Sequence, residues 1–357
     1  MKKILLVGYG LVGKVHADII AANDNSDLIG IVVSPDHVVT KNGLEKTSNA
    51  TMYLDLESAI TTLKPDGVII ATPNQRHVED FKICWRYRIP TLIEKPVFAS
   101  IKDFETLENA QCNIQELNKY FMVGHHRLYG EVFEAVQSVV NSATLGDIRS
   151  IAGITHWFKP DEYFKQGHWR TSVDHMGGVL GINMIHEIAT LIELFGPIRE
   201  VFAFGKKFRG FDVYDTVSIS YSFEKGMIGS WSISDNIVGN RSWEHNSGES
   251  DAFPFSENAC LFIGGTKGSL EVPNMKLIRY KDNKEDWWKP TKVNKLKLNC
   301  KSDPLERQFE TFLEFIDGNT EDYVNLGDGL RYLKTVESIQ NSLVLNKPIE
   351  IDCCAYE

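Results

Sequence analysis

The sequence has little of what several other classes of protein need. Its apolar runs stay short of the roughly 18–20 residues that a membrane-spanning helix requires, so we expect no membrane contact. Basic residues are fewer than acidic ones, 38 against 48, which gives a formal net charge of −10 and no basic stripe. Nucleic acid is therefore not an expected partner, because binding to its phosphates depends on clustered Lys and Arg.

Cysteine is also scarce, and its spacing excludes the common metal and redox motifs. The six cysteines form no C-x-x-C pair and no zinc-ligand spacing. We therefore expect reduced thiols in a cytoplasmic protein. The histidines and Asp174 match no standard ligand pattern either, so we predict no metal site.

The most informative stretch of the chain lies near its N-terminus. An apolar segment at 4–8 predicts a buried strand, in which Gly8 begins a G-x-G-x-x-G spacing with Gly10 and Gly13. A helix-compatible segment follows directly at 14–22. Strand, glycine turn and helix in this order are typical of a dinucleotide-binding turn. Gly8 permits the tight turn, Gly10 lets a pyrophosphate approach the backbone, and Gly13 lets the helix pack closely on the strand.

The first third of the chain alternates between strand and helix signals. Further apolar strands are predicted at 28–33, 67–71, 91–94 and 120–124, with helical segments between most of them. Such alternation predicts a parallel sheet covered on both faces, the doubly wound α/β class. Ligands of this class bind beyond the carboxyl ends of the strands.

After Gly124 the pattern changes to runs of strands flanked by helices. This arrangement predicts an α+β domain built on a mostly antiparallel sheet. We therefore expect a dinucleotide-binding domain at 1–124 and a second domain at 125–357.

Two strand ends carry polar turns that should meet at the cofactor crevice. The strand at 67–71 ends in T-P-N at 72–74, and the strand at 91–94 ends in E-K-P at 94–96. An ammonium group directly after a buried strand can hydrogen-bond an alcohol or carbonyl oxygen and stabilise its developing negative charge. Lys95 is therefore a candidate catalytic residue.

Together these motifs resemble the glucose–fructose oxidoreductase/inositol dehydrogenase (Gfo/Idh/MocA) family. Residues 177–188 look like the family's glycine-led active-site helix, and the G-G-T-K-G-S-L segment at 264–270 looks like its strand turn. The resemblance implies an NAD(P)-binding Rossmann domain and a C-terminal domain with a large open sheet. Because that sheet often forms oligomer contacts in the family, it also implies a homo-oligomer, a dimer or tetramer. The family needs no metal.

The resemblance also implies catalytic residues. Lys95 matches the family's lysine and His186 its histidine, but the usually acidic position four residues before the histidine is Ile182. Asn183 is the nearest polar substitute, and residues three apart share a helix face. The hypothesis is that His186 takes the proton of a substrate hydroxyl, Lys95 supports the alkoxide and Asn183 positions the hydroxyl.

The cofactor is expected to contact the glycine turn and the strand ends. The predicted contacts are Gly8, Tyr9, Gly10, Leu11, Val12, Gly13, Ser34, Asp36, Thr72, Pro73, Asn74, His77, Glu94 and Lys95. Ser34 stands where NAD-selective folds usually carry a carboxylate for the ribose, with Asp36 two residues further on. Since no arginine stands beside it to bind a 2′-phosphate, the sequence slightly favours NAD and leaves NADP open.

Polar and aromatic residues of the second domain are candidates for the substrate side. They are His125, Arg127, Trp157, Tyr163, Trp169 and Arg170, together with Asn183 and His186. Flat aromatic faces stack on a ring while polar groups bind its hydroxyls. A small polyhydroxylated substrate is therefore expected.

The predicted function is that of an NAD(P)-dependent oxidoreductase. It would transfer a hydride between nicotinamide and a hydroxyl or keto carbon of a sugar, cyclitol or related polyol. Two alternatives stay open: an NAD-dependent enzyme of the glycosidase type, and a non-catalytic NAD(P)-binding sensor, which the missing acid at Ile182 would suit. A methyltransferase shares the glycine turn but does not explain the E-K-P motif.

Overall fold

The chain forms two compact units. In the computed structural model the described residues are 1–34, 50–108, 113–165, 167–281, 286–298, 300, 302–320, 322–352 and 356. Unit 1 consists mainly of Met1–His126 and Leu305–Leu333, and unit 2 mainly of Arg127–Pro304 with residues that follow 333. The predicted cofactor contact Asp36 lies outside the described residues.

Unit 1 is built on a six-stranded sheet. Its strands are β1 Lys2–Val7, β2 Ser26–Val32, β3 Thr51–Tyr53, β4 Gly67–Ile70, β5 Thr91–Glu94 and β6 Phe121–Gly124. They lie in the order β3-β2-β1-β4-β5-β6, and every neighbouring pair is parallel. Strands β4, β5 and β6 are buried along their whole length, as expected of a sheet covered on both faces. The order is that of a Rossmann fold, which confirms the predicted class.

Helices cover this sheet and begin where local chemistry favours them. They are α1 Leu11–Ala22, α2 Leu56–Leu63, α3 His77–Tyr87, α4 Ile101–Glu108 and α5 Ile114–Leu117. Helix α2 shows the physical reason for such a start. The carboxylate of Asp55 accepts a hydrogen bond from the backbone N–H of Ser58 at 2.7 Å, so one of the helix's unpaired donors is satisfied.

Unit 2 is built on a nine-stranded sheet. Its strands are β7 Ile148–His156, β8 Ile198–Lys206, β9 Thr216–Phe223, β10 Ile228–Ser234, β11 Leu261–Gly265, β12 Ser269–Val272, β13 Lys276–Tyr280, β14 Thr291–Lys295 and β15 Ile349–Glu350. The order is β14-β13-β12-β11-β7-β10-β9-β8-β15, and only the β7–β10 pair among these strands is parallel. This confirms the predicted α+β unit with a mostly antiparallel sheet.

The remaining helical segments complete the two units. The α-helices are α6 Glu131–Asn141, α7 Asp161–Lys165, α8 Ile185–Phe195, α9 Trp243–Ser247, α10 Pro304–Ile316 and α11 Leu326–Leu345. Short 3-10 turns lie at Asn74–Arg76, His126–Tyr129, His168–Thr171 and Val173–His175, and a π-helical turn at Leu180–Met184.

The segment Leu305–Leu333 differs from its expected placement in the second domain, because it packs within unit 1. Side chains of α10 fill the space beside the first residue of β4. A Cβ at Gly67 would lie 2.5 Å from Cδ1 of Ile316. Further along, the N–H of Val123 in β6 donates to the carbonyl of Val324 at 2.8 Å, so this segment continues the pairing beyond the last strand.

One helical stretch, Val173–Phe195, is long and apolar enough by composition to cross a membrane. Of the most apolar 18-residue window in this stretch, 83% is buried inside the protein. Burial of this kind is what a core helix of a folded domain shows.

Packing of β10 against β7 generates a stability prediction. The indole of Trp231 lies over Gly153, and a Cβ there would come within 2.1 Å of the ring. We expect Gly153→Ala to lower the free energy of unfolding by about 1–3 kcal/mol, because the buried indole has no space to move. Gly264→Ala in the adjacent strand β11 is the matched control, since its nearest contact would be an ordinary 3.5 Å. Equal denaturation midpoints for the two variants would contradict this packing.

Candidate active site

The glycine turn of unit 1 has one open position and two closed ones. Gly8 has φ +96°, and a Cβ there would lie 2.6 Å from the carbonyl oxygen of Ala71. A Cβ at Gly13 would lie 2.3 Å from the carbonyl oxygen of Gly8. At Gly10, by contrast, a Cβ would have no atom of the described chain within 4 Å. Gly8 and Gly13 are therefore needed by the turn itself, whereas Gly10 leaves room for a ligand.

The N-terminus of α1 has the properties of an anion site. Gly10 is its N-cap, and within the described chain no side chain caps the helix or places an acid in its first turn. Leu11 and Val12 are 61% and 45% exposed. Unpaired N–H groups and the helix dipole favour a phosphate at this end. These residues fit the pyrophosphate of a dinucleotide.

The turns after β4 and β5 are held together by His77. Its Nε2 lies 2.9 Å from the carbonyl oxygen of Thr72, and its Nδ1 lies 3.0 Å from that of Pro96. Thr72 also donates its hydroxyl to Asp80 at 2.8 Å. The ring of His77 is fully buried and contacts backbone, so it positions both turns instead of presenting a polar atom to a cofactor.

Glu94 is a second positioning residue, and its partner is one that the sequence interpretation missed. Nε2 of His16, in α1, lies 2.8 Å from Oε1 of Glu94, and both side chains are buried. Burial raises the pKa of Glu94, but the hydrogen bond and charge of His16, with the charges of His126 and Lys95, hold that pKa below its ordinary value. The ionised carboxylate thus ties α1 to the residue before Lys95. The sequence feature that could have drawn attention to His16 is its position, three residues after Gly13 of the glycine turn.

The glycine-led segment of unit 2 starts with close backbone contacts. A Cβ at Gly177 would lie 2.4 Å from the carbonyl oxygen of Trp169, and one at Gly181 would lie 2.0 Å from that of Met176. The helix then opens with the π-helical turn Leu180–Met184 before α8. Such turns occur frequently at functional sites. Asn183 lies in this turn and His186 in the first turn of α8, and both side chains are buried.

Lys159 is the polar partner of Asn183. Its Nζ donates to Oδ1 of Asn183 at 2.5 Å, and both residues are buried. Ile182, at the family's usual acidic position, is half-buried. Lys159 belongs to the same polar and aromatic loop as the predicted substrate residues Trp157 and Tyr163. The signal for it was its place between Trp157 and Tyr163 in the sequence.

Four of the predicted substrate residues gather around Lys159. Its Nζ lies 5.6 Å from the ring centroid of Trp157 and 4.9 Å from that of Tyr163. The guanidinium carbon of Arg170 lies 4.7 Å from the Tyr163 ring and 4.6 Å from the Trp169 ring. We call Trp157, Lys159, Tyr163, Trp169, Arg170 and Asn183 the Lys159 cluster. It combines aromatic faces with cationic groups.

Carboxylates near this cluster are already engaged by other cations. Nε of Arg209 lies 3.6 Å from Oδ1 of Asp235, and Nη1 of Arg209 lies 2.7 Å from Asp161. Burial raises the pKa of Asp235 to about 6, with Lys159 and Arg209 acting in the opposite direction. In the part of the chain that is described, no group of three or more His, Cys, Asp or Glu could hold a metal ion.

Arg127 and His125, both predicted as substrate contacts, have protein partners in the structure. Nη1 of Arg127 lies 2.6 Å from Glu187 and its Nη2 lies 2.7 Å from Glu244, inside unit 2. Burial raises the pKa of Glu187 despite the opposing charge of Arg127. His125 is buried in unit 1, with its ring edge-on to Tyr332 at 4.9 Å. Both residues thus have partners within their own unit.

Comparison with known proteins identifies the family. Residues 2–125 match the oxidoreductase family with an NAD-binding Rossmann fold, and residues 133–271 match the Gfo/Idh/MocA C-terminal domain. The chain belongs to the Gfo/Idh/MocA family. The resemblance inferred from the motifs is thereby confirmed, and unit 1 is the NAD-binding Rossmann domain of an oxidoreductase family.

This Gfo/Idh/MocA chain is similar to curated dehydrogenases at low identity. It is 25% identical over 202 residues to scyllo-inositol 2-dehydrogenase (NADP(+)) of Bacillus subtilis, which covers 56% of this chain and 54% of that protein. It is 20% identical to an inositol 2-dehydrogenase of Rhizobium meliloti over 97% of this chain and 98% of that protein. The chain spans about half the length of the first curated relatives that it matches.

Solved structures share the fold of this Gfo/Idh/MocA chain along its length. The dehydrogenase WlbA of Bordetella pertussis, in complex with NADH and UDP-GlcNAcA, has a TM-score of 0.76 at 18% identity and covers 98% of both chains. A myo-inositol dehydrogenase of Corynebacterium glutamicum has a TM-score of 0.73 at 20% identity and covers 99% of both.

The glycine turn generates a prediction with a matched pair of variants. We expect Gly10→Ala to fold with a nearly unchanged melting temperature and to bind NAD(H) about tenfold or more weakly, because the added methyl group occupies only the ligand's space. Gly13→Ala should instead destabilise the protein, because its Cβ meets the Gly8 carbonyl. Thermal unfolding and cofactor titration separate the two effects. Unchanged cofactor affinity in Gly10→Ala would exclude this turn as the pyrophosphate site.

The buried ion pairs of Arg127 generate a second prediction. Arg127→Met leaves Glu187 buried without its cation, so we expect the free energy of unfolding to fall by about 3–5 kcal/mol. Arg149→Met removes an exposed pair with Asp147 and should change it by less than about 0.5 kcal/mol. Chemical denaturation measures both, and similar losses would refute the structural role of Arg127.

Proposed function

We propose that the protein is an NAD(P)-dependent oxidoreductase that transfers a hydride between nicotinamide and a hydroxyl or keto carbon of a sugar, cyclitol or related polyol. The observation that carries the proposal is the open Gly10 position at the uncapped start of α1, within a Rossmann domain of an oxidoreductase family. Relatives named as inositol dehydrogenases support the class of substrate.

The cofactor would be held by the glycine turn and the neighbouring strand ends. Backbone N–H groups at Gly10 and the first turn of α1 would bind the pyrophosphate. Thr72, Asn74 and Lys95 follow the carboxyl ends of β4 and β5, where ligands of this fold bind. When bound, nicotinamide supplies the hydride acceptor or donor.

Side chains of the protein would handle the proton and the developing charge. His186 would accept the proton of the substrate hydroxyl, because imidazole titrates near neutral pH. Lys95 would stabilise the alkoxide as it forms. Asn183 has no proton to exchange, and its Oδ1 is already bound by Lys159. Its amide N–H groups are therefore the part that would orient the substrate oxygen.

Cofactor preference would be decided beside Ser34, the exposed residue that follows β2. Its hydroxyl carries no charge to repel a 2′-phosphate, whereas a carboxylate there would favour NAD. We propose NAD as the preferred cofactor with NADP also accepted. The ratio of the two dissociation constants tests this, and a strong preference for NADP would reverse it.

The outer face of the nine-stranded sheet would provide contacts between copies. It exposes Phe204 on β8 and Ile228 on β10, on the same face as Ser218 and Ser220 of β9. Flat faces of small and apolar side chains suit sheet-to-sheet contact. We therefore propose a homo-oligomer, a dimer or tetramer, in the cytoplasm. Light scattering of wild type and Phe204→Glu would test the assembly.

Turnover is tested by the near-ultraviolet absorbance of reduced nicotinamide. The protein is incubated with NAD or NADP and a panel of sugars, cyclitols and sugar acids. His186→Ala should lower kcat by about 10²–10⁴, because it removes the general base, while the cofactor dissociation constant stays within about threefold. Lys95→Ala should also lose turnover. Lys82→Ala, an exposed lysine on α3, is the control.

Two results would favour the alternatives. Cleavage of a glycoside without accumulation of reduced nicotinamide would indicate the glycosidase-type reaction. Cofactor binding without hydride transfer to any compound would indicate a sensor. Unchanged turnover in His186→Ala would remove its role as the base.

A further inference from the structure

We propose, resting on the function above, that the substrate carries an anionic group, a carboxylate or a phosphate, and that Arg170 binds it. Arg170 is 8% exposed and ends as a guanidinium inside the Lys159 cluster. A buried cation needs a compensating anion, because removal from water costs several kcal/mol per ion. In this site the compensating group would come from the ligand.

The chain fixes the position of Arg170 closely. It lies in the 3-10 turn His168–Thr171, and its backbone is in contact with Gly177, where a Cβ would fall 2.7 Å from the Arg170 carbonyl carbon. The guanidinium lies over the rings of Tyr163 and Trp169. Stacking on aromatic faces holds the planar group in one orientation, which preorganises it for a ligand.

Other buried arginines of unit 2 have carboxylate partners, whereas Arg170 has none among the described residues. Arg127 binds Glu187 and Glu244, and Arg209 binds Asp161. None of the ion pairs formed by the described residues involves Arg170. The contrast indicates that Arg170 is reserved for an anion from outside the chain.

The carboxylates near the Lys159 cluster contact Arg209 and Lys159 and form no ion pair with Arg170. Asp161 pairs with Arg209, Asp235 interacts with both Arg209 and Lys159, and Asp215 accepts the backbone N–H of Arg209. The Arg170 guanidinium donates a hydrogen bond to the Tyr163 hydroxyl, which is itself a titratable group. Burial raises the pKa of Tyr163, so this group stays protonated and uncharged near neutral pH. None of these three carboxylates forms an ion pair with Arg170, so within the described residues its guanidinium has no anionic partner.

Tyr163 connects this cation to the reacting end of the substrate. Its ring contacts both Arg170 and Lys159, and Lys159 donates to Asn183. The side chains of Tyr163 and Lys159 thus lie between the Arg170 guanidinium and the side-chain amide of Asn183, which we propose orients the reacting hydroxyl. One small molecule with an anionic group and several hydroxyls would satisfy both. A guanidinium fork binds carboxylate and phosphate oxygens in pairs, so the structure points to their shared chemistry.

The experiment compares matched neutral and anionic compounds with the full-length protein and NAD or NADP. Glucose, glucuronate and glucose 6-phosphate form one set, and myo-inositol and a myo-inositol monophosphate form another. We expect kcat/KM to be at least about tenfold higher for an anionic member than for its neutral counterpart. The carboxylate and phosphate arms show which anion is preferred.

Variants at Arg170 then assign the effect. Arg170→Gln should lower the ratio of kcat/KM for the anionic compound to kcat/KM for the neutral one about 10–100-fold, because only the anionic compound loses a charge-assisted contact. Arg170→Lys should recover part of the loss. Arg149→Gln, an exposed arginine on β7, should behave as wild type.

The outcomes separate this assignment from the proposed reaction. If neutral compounds are oxidised as well as anionic ones, or if Arg170→Gln keeps the preference, the anion site is refuted while the oxidoreductase stands. If no compound is oxidised, the proposed function fails, and a binding experiment then tests the anion site by itself. Glucuronate or glucose 6-phosphate should raise the melting temperature of the NADH-loaded wild type but not that of Arg170→Gln. No Arg170-dependent shift with either compound would refute the site.

Discussion

Close backbone approach is the constraint on which both functional helices depend. In unit 1, β1 and α1 meet only because Gly13 brings no Cβ against the Gly8 carbonyl. In unit 2, Gly177 and Gly181 allow the same kind of contact with the segment that contains Trp169 and Met176. A side chain at any of these points would push the helix away from its neighbour. The residues in the first turns of that helix would then move away from the site.

Buried ion pairs fix the arrangement of the segments around α8 in unit 2. The Arg127 guanidinium binds two carboxylates of the protein, those of Glu187 and Glu244, and the Thr155 hydroxyl donates to Glu187 at 3.0 Å. Such a network fixes the segment around α8 because each group would be costly to leave unpaired. Arg170 has the same burial without a carboxylate among the described residues. The presence or absence of a carboxylate partner is what distinguishes Arg127 from Arg170, the arginine that we propose binds a ligand.

Histidines illustrate why residue type alone does not reveal a role. His77 joins two turns through backbone carbonyls, His16 anchors an ionised glutamate, and His125 packs against an aromatic ring. All three are buried in unit 1. Their partners lie on different segments of the chain, from the nearby Thr72 and Pro96 for His77 to Tyr332 for His125. His186 gains its proposed role from the glycine-led motif around it, which is local.

The sequence by itself determined the fold class and the glycine turn. Alternating apolar strands and helices imply a parallel sheet, and the spacing of Gly8, Gly10 and Gly13 is a local pattern whose geometry hardly depends on the rest of the chain. Tertiary structure alone decided that Leu305–Leu333 packs in unit 1, and that Arg127 binds Glu187, 60 residues away. It also placed Lys159 on Asn183. Such partners are chosen by packing and by the need to pair buried charge, which act between segments that no local spacing relates.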